Sequence, residues 1–152
     1  MDLGQLQALD RIAVFNRGEG VASRASRLKV LLSDDGQTWR QVYQHDGTVY
    51  FGQTDKKPLS VDLGDTETRY IRLQLPGVSY FHLDEVEVYA SGSDANVALG
   101  KSATQSSTSQ WSVKHELADA SPRQYATGRV VERGLKLALS LRQKGTDIAA
   151  QV

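Results

Sequence analysis

The sequence has no cysteine among its 152 residues. Disulfides, thiolate metal sites and cysteine nucleophiles are excluded together. Such a chain fits a reducing compartment or a bacterial secreted protein that does without disulfides. No apolar run approaches the roughly 18 residues that span a bilayer, so no membrane span is expected. Met1-Asp2-Leu3-Gly4-Gln5 has neither a basic nor an apolar stretch, and no signal peptide is expected in this segment. An excess of positive charge is missing as well. The formal net charge is zero, with 10 Lys and Arg against 14 Asp and Glu over residues 1–94, and 8 against 4 over 95–152. Neither part clusters cations as a nucleic-acid surface does, so no nucleic-acid partner is expected. Catalytic signatures are lacking too. Lys114-His115-Glu116-Leu117 has no second histidine at zinc spacing. Gly18-Glu19-Gly20 has no phosphate-loop lysine, and no Gly-x-Ser-x-Gly elbow occurs. The chain does not read as an enzyme.

What is there is enough for a packed core, with 39% hydrophobic and 24% charged residues. Nine of the 11 aromatics precede residue 95, so the main core belongs to the first two-thirds. Ile12 and Val14 alternate with Arg11 and Ala13 along the chain. The same spacing holds for Leu28, Val30 and Leu32, then Leu59, Val61 and Leu63, then Ile71, Leu73 and Leu75, then Val86 and Val88. A period of two is the mark of a half-buried strand. Turn residues separate the runs at Ser33–Gly36, His45–Gly47, Leu63–Asp65 and Pro76-Gly77. The pattern predicts a mainly β chain, an antiparallel sandwich or barrel, over residues 1–90. Ala90–Asp94 reads as a small-residue linker, set at 91–95. Residues 96–112 read as a strand with a Ser/Thr-rich turn. Val131, Leu135, Ala138 and Leu139 lie on one helical face behind a Ser121-Pro122 start, which predicts a mainly helical tail over 113–152. The alternation of Leu135, Leu137, Leu139 and Leu141 leaves a strand open there. Trp39 and Trp111 read as core.

Four segments carry a family resemblance. They are Asp2-Leu3-Gly4 with Leu9–Arg17, Leu28–Trp39, Arg69–Leu73 and Leu83–Tyr89, and they cover about residues 2–90. In order and spacing they resemble the later strands of discoidin domains, the coagulation-factor type C, galactose-binding-like family. Asn96–Ser107 resembles that family's first strand, here placed after the closing one. The chain thus looks like the later half of one domain joined to the opening strand of another. The resemblance implies a jelly-roll sandwich and a non-catalytic module that binds glycan and tethers a larger protein to it. It also implies an extracellular or cell-surface setting. Half a sandwich leaves a strand edge unpaired. Residues 97–107 are therefore expected to fold back as the missing strand, in cis or by exchange in a homodimer. A truncated or rearranged domain mediating protein contact is the alternative.

Arg17-Gly18-Glu19-Gly20-Val21-Ala22-Ser23-Arg24 is similar to the Arg-x-Asp-x4-Arg motif of fucose-binding F-type lectins, with Glu19 for Asp. Two guanidiniums offer donor forks to sugar hydroxyls, and a carboxylate between them holds their geometry. The histidine that accompanies the motif would precede Met1. The same residues also read as a solvated loop tip with a surface ion pair. Tyr50-Phe51 and Tyr80-Phe81-His82 read either as a stacking platform for a sugar ring or as packing. Asp84-Glu85 resembles the family position that contributes to a calcium site, which makes calcium the one cofactor implied. Calcium needs six to eight oxygens, and its other ligands would come from the missing half.

Overall fold

The computed structural model describes residues 1–18 and 20–107. Glu19, Trp111, the end of the strand expected over 96–112 and the helical tail expected over 113–152 lie outside them. Five strands form one antiparallel sheet: β1 (Asp2–Asn16), β2 (Lys29–Ser33), β3 (Arg40–Gln44), β4 (Leu59–Gln74) and β5 (Leu83–Ala90). Their order across the sheet is β3-β2-β4-β1-β5. The only helical element among the described residues is a 3-10 turn at Ala22–Ala25.

The expected strand runs are present, but two of them are one element. Leu59–Leu63 and Ile71–Leu75 belong largely to β4, and Leu63-Gly64-Asp65 is a bulge inside it rather than a turn between strands. The register places Leu9 opposite Thr66 and Arg11 opposite Asp62, so β4 carries two extra residues there. Gly64 and Asp65 take φ of 55° and 62°, the left-handed region that glycine enters freely. The Asp62 carboxylate accepts from Gly64 N at 2.9 Å, and Thr66 Oγ1 donates to Leu63 O at 2.6 Å. The local chain is thus satisfied without leaving the sheet.

Bulges also decide which residues face the core. Relative to β5, β1 has one extra residue between Leu9 and Arg11. One extra residue reverses the alternation. Leu9 and Ile12, three apart, therefore both reach the core, together with Leu3, Val14, Val30, Leu32, Val61, Ile71 and Val88. Ala13, Phe15 and Tyr89 form a smaller cluster of their own. Trp39, expected in the core, is only half-buried, with the Arg72 guanidinium 3.8 Å over its ring.

The segment after the linker does fold back, within the one chain, but not as a strand. Val97 N donates to Val88 O at 2.8 Å, and the Asn96 side-chain oxygen accepts from Val88 N at 3.0 Å. Asp2 N reaches Ser102 O at 3.2 Å. Between these points the chain is a run of turns. Among the described residues beyond 96 no strand forms.

Two carboxylates tie down chain ends and turns. Asp35 accepts from the amides of Thr38 and Gln37 and from the Ser33 hydroxyl, which together hold its carboxyl well below the usual range. Asp2 accepts from Arg69 Nε at 2.8 Å and Nη2 at 2.9 Å, and with help from the Gly4 amide its pKa falls to about 2 from 3.8. A depressed folded-state pKa stabilises the fold above the unfolded value and is lost as pH falls through the folded one. Asp2→Asn is therefore expected to lower stability at neutral pH and to flatten its decline between about pH 4 and about pH 2. Urea unfolding of both proteins across that range checks it, and parallel curves would contradict it.

Candidate functional site

Three connections meet at the end of the sheet where β1 stops and β5 starts. Asn16 closes β1 and lies opposite Leu83, the first residue of β5. It is 2% exposed. Its amide group donates to Ala22 O at 2.8 Å and to Tyr50 O at 2.9 Å, while its backbone N donates to Phe51 O at 2.6 Å. One buried residue thus ties the Arg17–Arg24 loop, the 50–57 loop and the sheet together. Nothing in the sequence analysis singled it out. The available signal was a polar residue ending the run Ala13-Val14-Phe15.

Gly52 is the second anchor. It bridges in parallel to Asn16 with φ 115°. A Cβ there would lie 2.9 Å from the Phe15 ring and 3.0 Å from its Cα. Its amide donates to the Asp55 carboxylate at 2.9 Å. Gly52→Val is expected to cost about 2 kcal/mol or more, combining backbone strain with a clash the backbone cannot relieve. A chemical unfolding midpoint unchanged from the parent would contradict this.

The expected site residues separate on this scaffold. Arg24 sits exposed at the end of the 3-10 turn, and its guanidinium lies 5.4 Å over the Tyr80 ring. Tyr80 stacks on His82 with centroids 6.3 Å apart and an interplanar angle of 22°. Tyr80 is 67% exposed and His82 half-buried. Arg24, Tyr80 and His82 therefore form one open cluster from two loops that lie far apart in sequence. Arg17 is exposed at the entry of the first loop.

Tyr50 does not join them. It is 8% exposed, packs with the main core and meets His45 edge-on at 5.1 Å. Burial pushes its hydroxyl well above the usual phenol range. Only its backbone oxygen serves the loops, so it offers no ring face to a ligand. Phe51 is half-buried.

Asp84 is the bulged residue of β5, exposed between Leu83, opposite Asn16, and Glu85, opposite Phe15. The Glu85 carboxylate accepts from the Gln53 amide at 3.5 Å. Among the described residues no group of three or more His, Cys, Asp or Glu could hold a metal ion. The side chains of Asp84 and Glu85 fall short of the six to eight oxygens of calcium.

A sequence profile of the F5/8 type C domain matches residues 1–86. The chain belongs to the F5/8 type C domain family. The discoidin-like resemblance of the four strand segments is this family's. No curated protein matches the sequence. Among solved structures the chain is similar to a Streptococcus pneumoniae fucose binding module, at 24% identity and TM-score 0.46, covering 59% of this chain and 60% of that one. It is similar to the lectin domain of lectinolysin complexed with Lewis B antigen, at 27% identity and TM-score 0.47, covering 60% and 62%. It is also similar to a Clostridium perfringens module in complex with GalNAc-β-1,3-galactose, at 18% identity and TM-score 0.45, covering 59% and 62%. The chain spans about three-fifths of the length of each. Among the described residues of this F5/8 type C chain no helix is long and apolar enough to cross a membrane.

Proposed function

We propose that this chain is a non-catalytic carbohydrate-binding module whose ligand site is the loop end of the sheet. One observation carries the reading: Arg24 over Tyr80, and Tyr80 against His82, with the loop of Arg24 pinned by a buried amide. A guanidinium can donate to two adjacent hydroxyls at once. An exposed ring offers a face to the C–H side of a sugar, and an imidazole can donate or accept beside it. Arg17 stands at the same loop and would add a second donor fork. Family membership supports the reading, since the resemblance that placed the strands also implied glycan. The module's part would be to hold an attached protein near carbohydrate.

An open site of this size binds weakly, and roughly millimolar affinity corresponds to about −4 kcal/mol. Calorimetric titration with fucose, galactose and N-acetylgalactosamine, with and without calcium, tests the proposal. Saturable heats for at least one sugar are expected. Because Asp84 and Glu85 supply few ligands, binding should survive removal of calcium. Flat heats throughout would overturn the reading.

A further inference from the structure

We propose a second binding surface on the outer face of β2, β3 and β4, fitted to an anionic saccharide bearing carboxylate or sulfate groups. It lies on the strands themselves rather than on the connecting loops, and it does not depend on the loop-end reading. Residues paired directly across antiparallel strands share a face. Val30 pairs with Tyr43 and Leu73, and this is the core face. The alternate pairs face outward. Lys29 pairs with Gln44 and Gln74, and Leu31 pairs with Gln41 and Arg72. The bulge of β3 at Val42 is what brings Gln41 and Gln44, three apart, onto the same face.

These two rungs have an unusual make-up. They hold two cations and three glutamines and no carboxylate. Gln41, Gln44, Arg72 and Gln74 are exposed. Neither Lys29 nor Arg72 is in an ion pair among the described residues. The Arg72 guanidinium carbon instead lies 3.8 Å over the half-buried Trp39 ring. Stacking on an indole fixes a guanidinium plane and leaves its N–H edge for an oxyanion. The nearest acidic turn does not compete for it. The Asp35 carboxylate is taken up by Ser33, Gln37 and Thr38 of its own turn.

The chemistry selects the ligand class. Two cations are too few for a polynucleotide backbone. Three primary amides, each with donors and an acceptor, match a surface of hydroxyls. Hydroxyls together with dispersed negative charge describe an acidic polysaccharide.

The test uses dextran sulfate and polygalacturonate, with neutral dextran as the control, titrated into the full chain. The parent is expected to bind both polyanions and not the neutral polymer. Lys29→Gln with Arg72→Gln should weaken binding about tenfold or more, the scale of losing charge-assisted hydrogen bonds. Gln41→Glu with Gln44→Glu should weaken it as well, by repulsion, while leaving the Arg72–Trp39 stack in place. Arg24→Ala should leave polyanion affinity unchanged, which separates this surface from the loop end. Circular dichroism of each variant should match the parent. Overturning results are no polyanion binding by the parent, equal binding of neutral dextran, folded variants of this face within about twofold of the parent, or a loss in Arg24→Ala alone.

Discussion

Arg24→Ala is expected to abolish measurable binding of neutral sugars while leaving the fold intact. Arg24 is exposed at the end of the 3-10 turn, and its guanidinium lies over the face of Tyr80. Removing it takes nothing from the core. What is lost is the charged donor fork, and hydrogen bonds to charged groups contribute about 1.5–3 kcal/mol each. Against a total of about −4 kcal/mol, that loss leaves little affinity. Arg24→Lys should recover only part of it, because an ammonium cannot reproduce the planar fork. Tyr80→Ala should be as damaging, whereas Tyr80→Phe keeps the ring and should keep most of the binding. Titration of the four variants with the sugar that binds the parent checks the series. Full affinity in Arg24→Ala and Tyr80→Ala would remove the cluster from the site.

Asn16→Ala is expected to produce the largest loss of stability at this end, about 2–4 kcal/mol. The substitution leaves the carbonyls of Ala22 and Tyr50 without the amide that now reaches them. Both lie in a buried environment, and an unmet buried acceptor costs far more than a net hydrogen bond contributes. A second effect should follow. With its anchor gone, the Arg17–Arg24 loop loses its hold on the 50–57 loop, and saccharide affinity should fall even in the fraction that is folded. Asn16→Asp keeps the shape but supplies no donor, and should behave like the alanine variant. Urea unfolding gives the first quantity, and titration well below the unfolding midpoint gives the second. A loss below about 0.5 kcal/mol would mean the carbonyls find other donors.

How far the sequence discloses this architecture depends on whether the information is local. Ile12 and Val14, Val30 and Leu32, and Val86 and Val88 lie on regular pleats, so alternation alone locates β1, β2 and β5. β3 escapes it because Arg40–Gln44 is a polar edge strand, largely exposed, with no apolar period to detect. β4 reads as two strands because Gly64 and Asp65 have the composition of a turn. That composition meets the same left-handed requirement inside a bulge. The start of β1 is hidden for a related reason. The register slips between Asp2 and Gln7, and the period is broken there.

The site divides in the same way. The loop after β1 was legible because Arg17 and Arg24 share one short segment. The partnership of Arg24 with Tyr80 was not, since it is a contact between loops that only the fold brings together. Tyr50-Phe51 and Tyr80-Phe81-His82 look alike as aromatic runs, yet Tyr50 is sealed against His45 and Tyr80 is open. Burial of that kind depends on what packs from elsewhere in the chain.

The measurement that bears most directly on the central claim is a backbone amide NMR titration with the sugar giving the strongest heat. Shifts that saturate together at residues 17–24, 50–54 and 78–83, and leave β2 and β3 still, are the expected result. Saturating shifts confined to other parts of the sheet, or no shifts at these loops while heat is still released, would contradict a saccharide site at the Arg24–Tyr80–His82 cluster.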